Sequence, residues 1–203
     1  MMYEGRWAGE TGAVIASGPS VRVTQYEKLY GRARVCAVND SHRLVPWADM
    51  LYAADWKWWR HHNFVHHFRG ERWTQHIGCN GWPLEAAISG INVIRCVHKL
   101  NVSYDPSYVG SGWNSAFQAM NLLIHMGITK ILLIGVDLHD IKGTHWFGDH
   151  PPGLQRRSPY ATFRKAFEQA AAGMAERGIE VINCSNSSAL KVFPVMHVED
   201  ALR

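Results

Sequence analysis

The sequence contains no apolar run of the roughly 18 to 20 residues that a helix needs to cross a bilayer. The longest candidates, residues 131–136 and, interrupted by Arg95, 93–97, are the length of strands. The N-terminus carries Glu4, Arg6 and Glu10 without an apolar stretch, which argues against a signal peptide. The expected location is therefore the cytoplasm. Cysteine is scarce: Cys36, Cys79, Cys96 and Cys184 are scattered and form no CxxC pair, which argues against a zinc ribbon. Cys36 and Cys96 lie in apolar runs and read as reduced core thiols. There is no lysine and arginine run and no basic–aromatic repeat, so no specific nucleic-acid partner is expected. The net charge of +4 is still compatible with an anionic ligand. Low-complexity linkers and internal repeats are also missing. A metal-ligating set is incomplete: His61, His62, His66 and His67 form HHxxxHH, but no HExxH glutamate or nearby cysteine joins them. On a helix His62 and His66 would share a face. The segment reads as an aromatic-packed or solvated helix face, and no metal site is expected.

What is present is an alternation of strand-like and helix-like segments over 203 residues, of which 47% are hydrophobic. That pattern predicts an α/β protein: one Rossmann-like domain over residues 1–203, with a mainly parallel sheet flanked by helices. Strands are expected at 12–17, 33–38, within 47–54, and at 72–77, 92–97, 130–136 and 179–183. Helices are expected at 23–30, 56–68, 112–126 and 160–177, with a short one in the tail at 198–203. Ser111 is placed as the N-cap of the third helix and Gly178 as the C-terminal stop of the fourth. Residues 79–90 read as irregular, and 139–159 as a long polar loop of the kind that carries function. The nine tryptophans are compatible with a ligand pocket, the core, or a surface shared between copies of the chain in a homo-oligomer.

Chemistry-bearing residues fall just after strands, where a doubly wound sheet holds its ligand. Ser17-Gly18-Pro19-Ser20 follows the first strand; such a turn lets backbone approach a phosphate, or is simply a tight connection. Asn39 and Asp40 follow the second strand and Asp55 the third, as sugar or base contacts or as helix caps. Gly110-Ser111-Gly112 opens the strongest helix, whose dipole favours an anion. Asp137 follows the central strand, and beyond it lies Thr144-His145-Trp146-Phe147-Gly148-Asp149-His150. A histidine near a carboxylate there is a candidate general base.

The ordered set of GPS, VND, SG opening a helix, and GITKILLIGVDL resembles glycosyltransferase family 42, the bacterial sialyltransferases and their phage relatives. It is also similar to the archaeal 6-hydroxymethylpterin pyrophosphokinase-like domain. The resemblance spans roughly residues 12–194. It implies a nucleotide ligand, of cytidine type in the sialyltransferases, approached by Gly18, Pro19 and Ser20. Asn39 would meet it through its side chain, with Asp40 beside it; Ser111 and Gly112 would face the ribose or phosphate, and Asp137 would lie close by. THWFGDH resembles the loop that carries the family's catalytic histidine. Without a gap that histidine aligns with Asp149, one residue before His150 and four after His145, so these three are the catalytic candidates. The leading expectation is a transferase using a nucleotide-sugar donor. The alternatives are a Mg²⁺-dependent diphosphotransferase, with Asp137 and Asp140 helping to hold the metal, and a nucleotide-binding module without catalysis.

Overall fold

The computed structural model describes residues 3–76, 86, 88–140, 145–155 and 157–203. Among them, eight strands form one sheet: β1 (Thr11–Ile15), β2 (Arg34–Val38), β3 (Met50–Tyr52), β4 (Glu71–His76), β5 (Asn92–Val97), β6 (Tyr108–Gly110), β7 (Lys130–Ile134) and β8 (Glu180–Asn183). Their spatial order is β6-β5-β4-β3-β2-β1-β7-β8, and each adjacent pair is parallel. The chain walks outward from β1 to β6, returns to lay β7 on the other side of β1, and ends at β8. Beyond the C-terminal ends of β1 and β7 the connections diverge, and a crevice opens where direction reverses.

The expected α/β fold with a parallel sheet is what the chain forms. Central strands carry apolar side chains on both faces, as a covered parallel sheet requires. In β1, Val14 packs toward one core and Ala13 and Ile15 toward the other; in β7, Ile131 and Leu133 oppose Leu132 and Ile134. One face is covered by two helices, α2 (Ser115–His125) and α3 (Tyr160–Ala175), through Phe117, Met120, Leu123, Phe167 and Met174. The other is roofed by short pieces: α1 (Trp56–His61), α4 (Val198–Ala201) and 3₁₀ turns at Pro19–Val23, Tyr26–Leu29 and Asn39–Arg43. Cys36 and Cys96 are buried free thiols, and burial pushes the Cys96 thiol up to about 11. No helix among the described residues is long and apolar enough to cross a membrane.

Four local expectations change. The helix expected over 23–30 is two 3₁₀ turns separated by extended Thr24. Val21 and Leu29 are the residues there that reach the core, and this is too sparse a pattern to hold an α-helix against the sheet. The helix expected over 56–68 stops at His61, and Asn63, Phe64 and Val65 all take positive φ. His62 and His66 therefore share no helical face. The Trp58 and Trp59 indoles, which donate to Asp40 and to the Ala53 carbonyl at 2.9 Å each, anchor α1 over its short length. Residues 108–110 form β6, so the next helix starts at Ser115 with Asn114 as its cap, not Ser111. The irregular stretch expected over 79–90, with Cys79, falls largely outside the described residues.

A buried amide ties β6 to α2. Asn121 Oδ1 accepts from the backbone N–H of Ser103 at 2.8 Å and of Gly110 at 2.9 Å, while its Nδ2 donates to the Ser103 carbonyl at 2.7 Å. Nδ2 also lies 3.0 Å from His125 Nε2, which must accept and so belongs to a neutral ring. Burial lowers the His125 pKa from 6.5 to about 4. The unfolded chain then binds a proton that the folded chain refuses. Stability is unaffected above the ordinary imidazole range and falls as pH drops from 6.5 toward 4. At about 1.4 kcal/mol per pH unit, the loss is on the order of 3 kcal/mol by the lower limit. Urea unfolding across this range is expected to show that loss, and His125→Gln to be less acid-sensitive than wild type by about that amount. Equal acid sensitivity in the two proteins refutes the assignment.

Candidate functional site

The residues that end β1 and β7 hold each other before they hold anything else. The Gly18 N–H donates to the Gly135 carbonyl at 2.8 Å. Asp137 accepts from the Ser20 backbone N–H at 2.9 Å and also from the Ser20 hydroxyl, so both carboxylate oxygens are engaged in a buried pair. Gly18 has an ordinary φ of -63, so its requirement is space: a Cβ there would lie 2.5 Å from the Gly135 carbonyl oxygen and 2.6 Å from Asp137 Cγ. The GPS turn is thus built to let two strand ends approach closely.

Above this junction lies a cleft with three lobes. The inner lobe, about 220 Å³, is lined by Ser17, Gly18, Asn39, Asp137, His139 and Tyr160 among others. The wide lobe, about 440 Å³, runs toward β4 and is lined by Trp56, Trp58, Gln75, Ser111, Trp113 and Gln118 among others. An outer lobe includes Asp140, Asp149, Gln155 and Arg157. His145, His150 and Ser158 line all three, which puts the two imidazoles where the lobes meet.

The histidine loop is latched to the sheet. Trp146 donates its backbone N–H to the Ser17 carbonyl at 2.9 Å, and the Arg22 guanidinium donates to the Trp146 carbonyl. Arg43 stands over the Trp146 indole at 5.3 Å, a cation–π contact. So fixed, the His145 and His150 rings lie 4.4 Å apart between centroids, and His145 stacks on Phe147 at 5.0 Å. Burial, and then the neighbouring His150, lower the His145 pKa below the ordinary imidazole value. His145 is therefore neutral at neutral pH and able to take a proton.

Polar atoms without partners gather here. Ser17 Oγ, Gln75 Oε1 and the Nδ1 atoms of His145 and His150 are enclosed and have no hydrogen-bond partner among the described residues. Buried polar groups in native proteins are nearly always satisfied; other unpartnered atoms, at Ser41, Thr74 and His76 among others, lie outside the cleft. No group of three or more metal-ligating side chains assembles among the described residues.

The expected site residues divide into two sets. Gly18, Asn39, Ser111, Asp137, His145, Asp149 and His150 line the cleft, with Asp149 on the exposed outer side. Pro19, Ser20, Asp40 and Gly112 are set back from its wall. Asp40 is buried, accepts from the Trp58 indole at 2.9 Å, and has Arg43 and His62 within 3.7 Å. Gly112, at φ +49, lies against the Phe117 ring and precedes Trp113, not a helix. Gln75, Trp113, Gln118 and Tyr160 are among the lining residues that have no counterpart among the sequence candidates. Gln118 had a readable signal, a polar residue on the apolar face of a helix. It accepts from the Tyr52 hydroxyl and donates to the Ser111 carbonyl, both at 2.8 Å, and so sets Ser111 at the cleft edge.

Comparison of the chain with protein-family models, with curated proteins and with solved structures gives no match.

Proposed function

We propose that the protein transfers a glycosyl group from a nucleotide-sugar donor to an acceptor hydroxyl, with the His145–His150 pair supplying the general base. The observation that carries this reading is the pair itself: two adjacent imidazoles, latched over the β1–β7 junction, at the meeting point of lobes large enough for separate donor and acceptor groups. In the step, the acceptor oxygen forms a bond to the anomeric carbon as its proton passes to an imidazole. The bond from that carbon to the phosphate oxygen breaks, and the nucleotide leaves with the electron pair. A base that is neutral at working pH is suited to this role. Asn39 and Ser111 flank the nucleotide, and the unpartnered Ser17 hydroxyl is available to a phosphate oxygen. The resemblance in the GPS, VND and SG segments supports the same placement.

Diphosphotransfer would draw on Asp137 to hold Mg²⁺. Each of its oxygens already accepts one bond from the buried Ser20, so its position is set by a structural role that the glycosyl-transfer reading leaves undisturbed.

Thermal unfolding with CMP, CDP, UDP, GDP, ATP and sugar nucleotides, each with and without Mg²⁺, tests the proposal. A ligand at about 100 times its Kd adds roughly 2.7 kcal/mol, or a Tm shift of about 5 to 10 °C. The expected result is a metal-independent shift with a cytidine nucleotide or sugar nucleotide, followed by donor turnover once an acceptor is present. A shift confined to triphosphate with Mg²⁺ turns the assignment to diphosphotransfer. Tight binding without turnover over a broad donor set makes the protein a binding module.

A further inference from the structure

The wide lobe holds a group that the transfer chemistry does not use. Gln75, in β4, donates from Nε2 to the Ala54 carbonyl at 3.2 Å. A carbonyl only accepts, so this bond fixes which end of the amide is the nitrogen and leaves Oε1 as the other end. Oε1 is enclosed and has no partner among the described residues. What it lacks is a donor. Turning the amide over would present its nitrogen, at the cost of the bond to Ala54.

Flat aromatic walls stand in the same lobe. Trp56 and Trp113 both line it. Trp113 is 55% exposed, takes φ +56, and has the His98 ring as a tilted neighbour at 5.0 Å. A large exposed indole held in a left-handed backbone conformation costs stability without filling the core, and such strain gathers where a ligand is held. A face to stack on and an acceptor at the edge together match a planar heterocycle carrying an amine.

We propose that the wide lobe is a nucleobase subsite in which Gln75 Oε1 accepts a hydrogen bond from an exocyclic amine, so that the protein takes an aminopyrimidine or aminopurine in preference to their oxo counterparts. This rests on the nucleotide reading above and makes it specific. An oxo base sets its carbonyl oxygen against that of Gln75, two acceptors with no proton between them. The terminal torsion of a glutamine is broad, which lets the oxygen meet an amine entering the lobe.

Calorimetric titration of the wild-type protein with CMP, UMP, AMP and IMP tests this, because each pair differs at the amine position. CMP is expected to bind at least about tenfold more tightly than UMP, or AMP than IMP, since an unpaired buried polar group costs roughly that much. Preference within only one pair still supports the subsite and identifies the ring size. Gln75→Met is expected to bring the members of a pair to within about threefold of each other. Trp113→Ala is expected to weaken every bound nucleotide by about tenfold or more while leaving the ratio intact, as loss of a stacking face does. Equal affinity within both pairs for wild type overturns the role of Gln75 and leaves the nucleotide reading standing. Failure of all four to bind overturns the subsite, and the nucleotide reading falls with it only if CDP, UDP, GDP, ATP and the sugar nucleotides also leave the Tm unchanged.

Discussion

Replacing both His145 and His150 with alanine is expected to lower donor turnover by about a thousandfold while leaving nucleotide affinity close to that of wild type. General-base catalysis contributes on this scale, and it acts on the transition state, not on donor binding. The two rings are adjacent, so the single variants show which of them takes the proton and the double variant removes the substitute. Burial lowers the His145 pKa, so if His145 is the base, wild-type turnover should rise with pH along a limb centred below the ordinary imidazole value of 6.5 and be level at neutrality. The His145→Ala variant should lose that limb. Both positions lie in a loop after β7, where their rings pack on each other and on Phe147, so a Tm near that of wild type is expected and separates catalysis from folding. Full turnover in the double variant refutes the proposed mechanism.

Gly18→Ala is expected to destabilise the fold by about 3 kcal/mol or more, among the largest effects of any single methyl group in this chain. The cause is contact, since alanine accepts the φ of -63 without strain. The new carbon would fall 2.5 Å from a backbone oxygen of β7 and 2.7 Å from Asp137 Oδ2, and a backbone atom yields only if the strand ends part. Parting them disturbs the Gly18–Gly135 bond and both Ser20–Asp137 bonds. Trimming Asp137 as well restores part of the stability, because the Gly135 oxygen stays in place. Ser20→Ala, which deletes one hydroxyl bond, should cost about 1 to 2 kcal/mol. Urea unfolding of the three variants gives the order, and a loss below about 1 kcal/mol for Gly18→Ala contradicts it.

The sheet was legible in the sequence because parallel strands advertise themselves: the runs at 33–38, 92–97 and 130–136 are apolar with little alternation and are bounded by turn residues. The long helices were legible by period, since α2 and α3 each place a coherent apolar stripe on the sheet. β6 was not, because three residues ending in glycine carry too little pattern to compete with the helical signal that follows. The early end of α1 at His61 was hidden for another reason. The chain turns to positive φ at Asn63, Phe64 and Val65, none of them glycine, and local propensity does not announce such a break.

The site was legible in its frame and less so in its contents. Position after a strand picks out Gly18, Asn39, Ser111, Asp137, His145 and His150, and all six line the cleft. The same rule cannot separate a residue that faces the cleft from one that ties strand ends together, and Ser20 and Asp40 are of the second kind. Gln75 escaped because it sits within a strand, and its meaning depends on Ala54, 21 positions away, taking one end of its amide.

The two faces of the sheet are roofed differently, and this divides the molecule by how it opens. On one side α2 and α3 lie as long beams whose removal exposes a whole core at once. On the other, α1, α4 and the 3₁₀ turns overlap like shingles, each short and tied to a neighbour or to the sheet: α1 to the Asn39–Arg43 turn through Trp58 and Asp40, α4 to the Tyr26–Leu29 turn through Glu199 and Lys28. Each shingle brings little core of its own, so its backbone hydrogens are expected to exchange with solvent through smaller openings than those in the beams. Protection from exchange is then expected to divide by face and not by position along the chain. The histidine loop, held through Arg22 and Arg43 to two of the shingles, shares the livelier side.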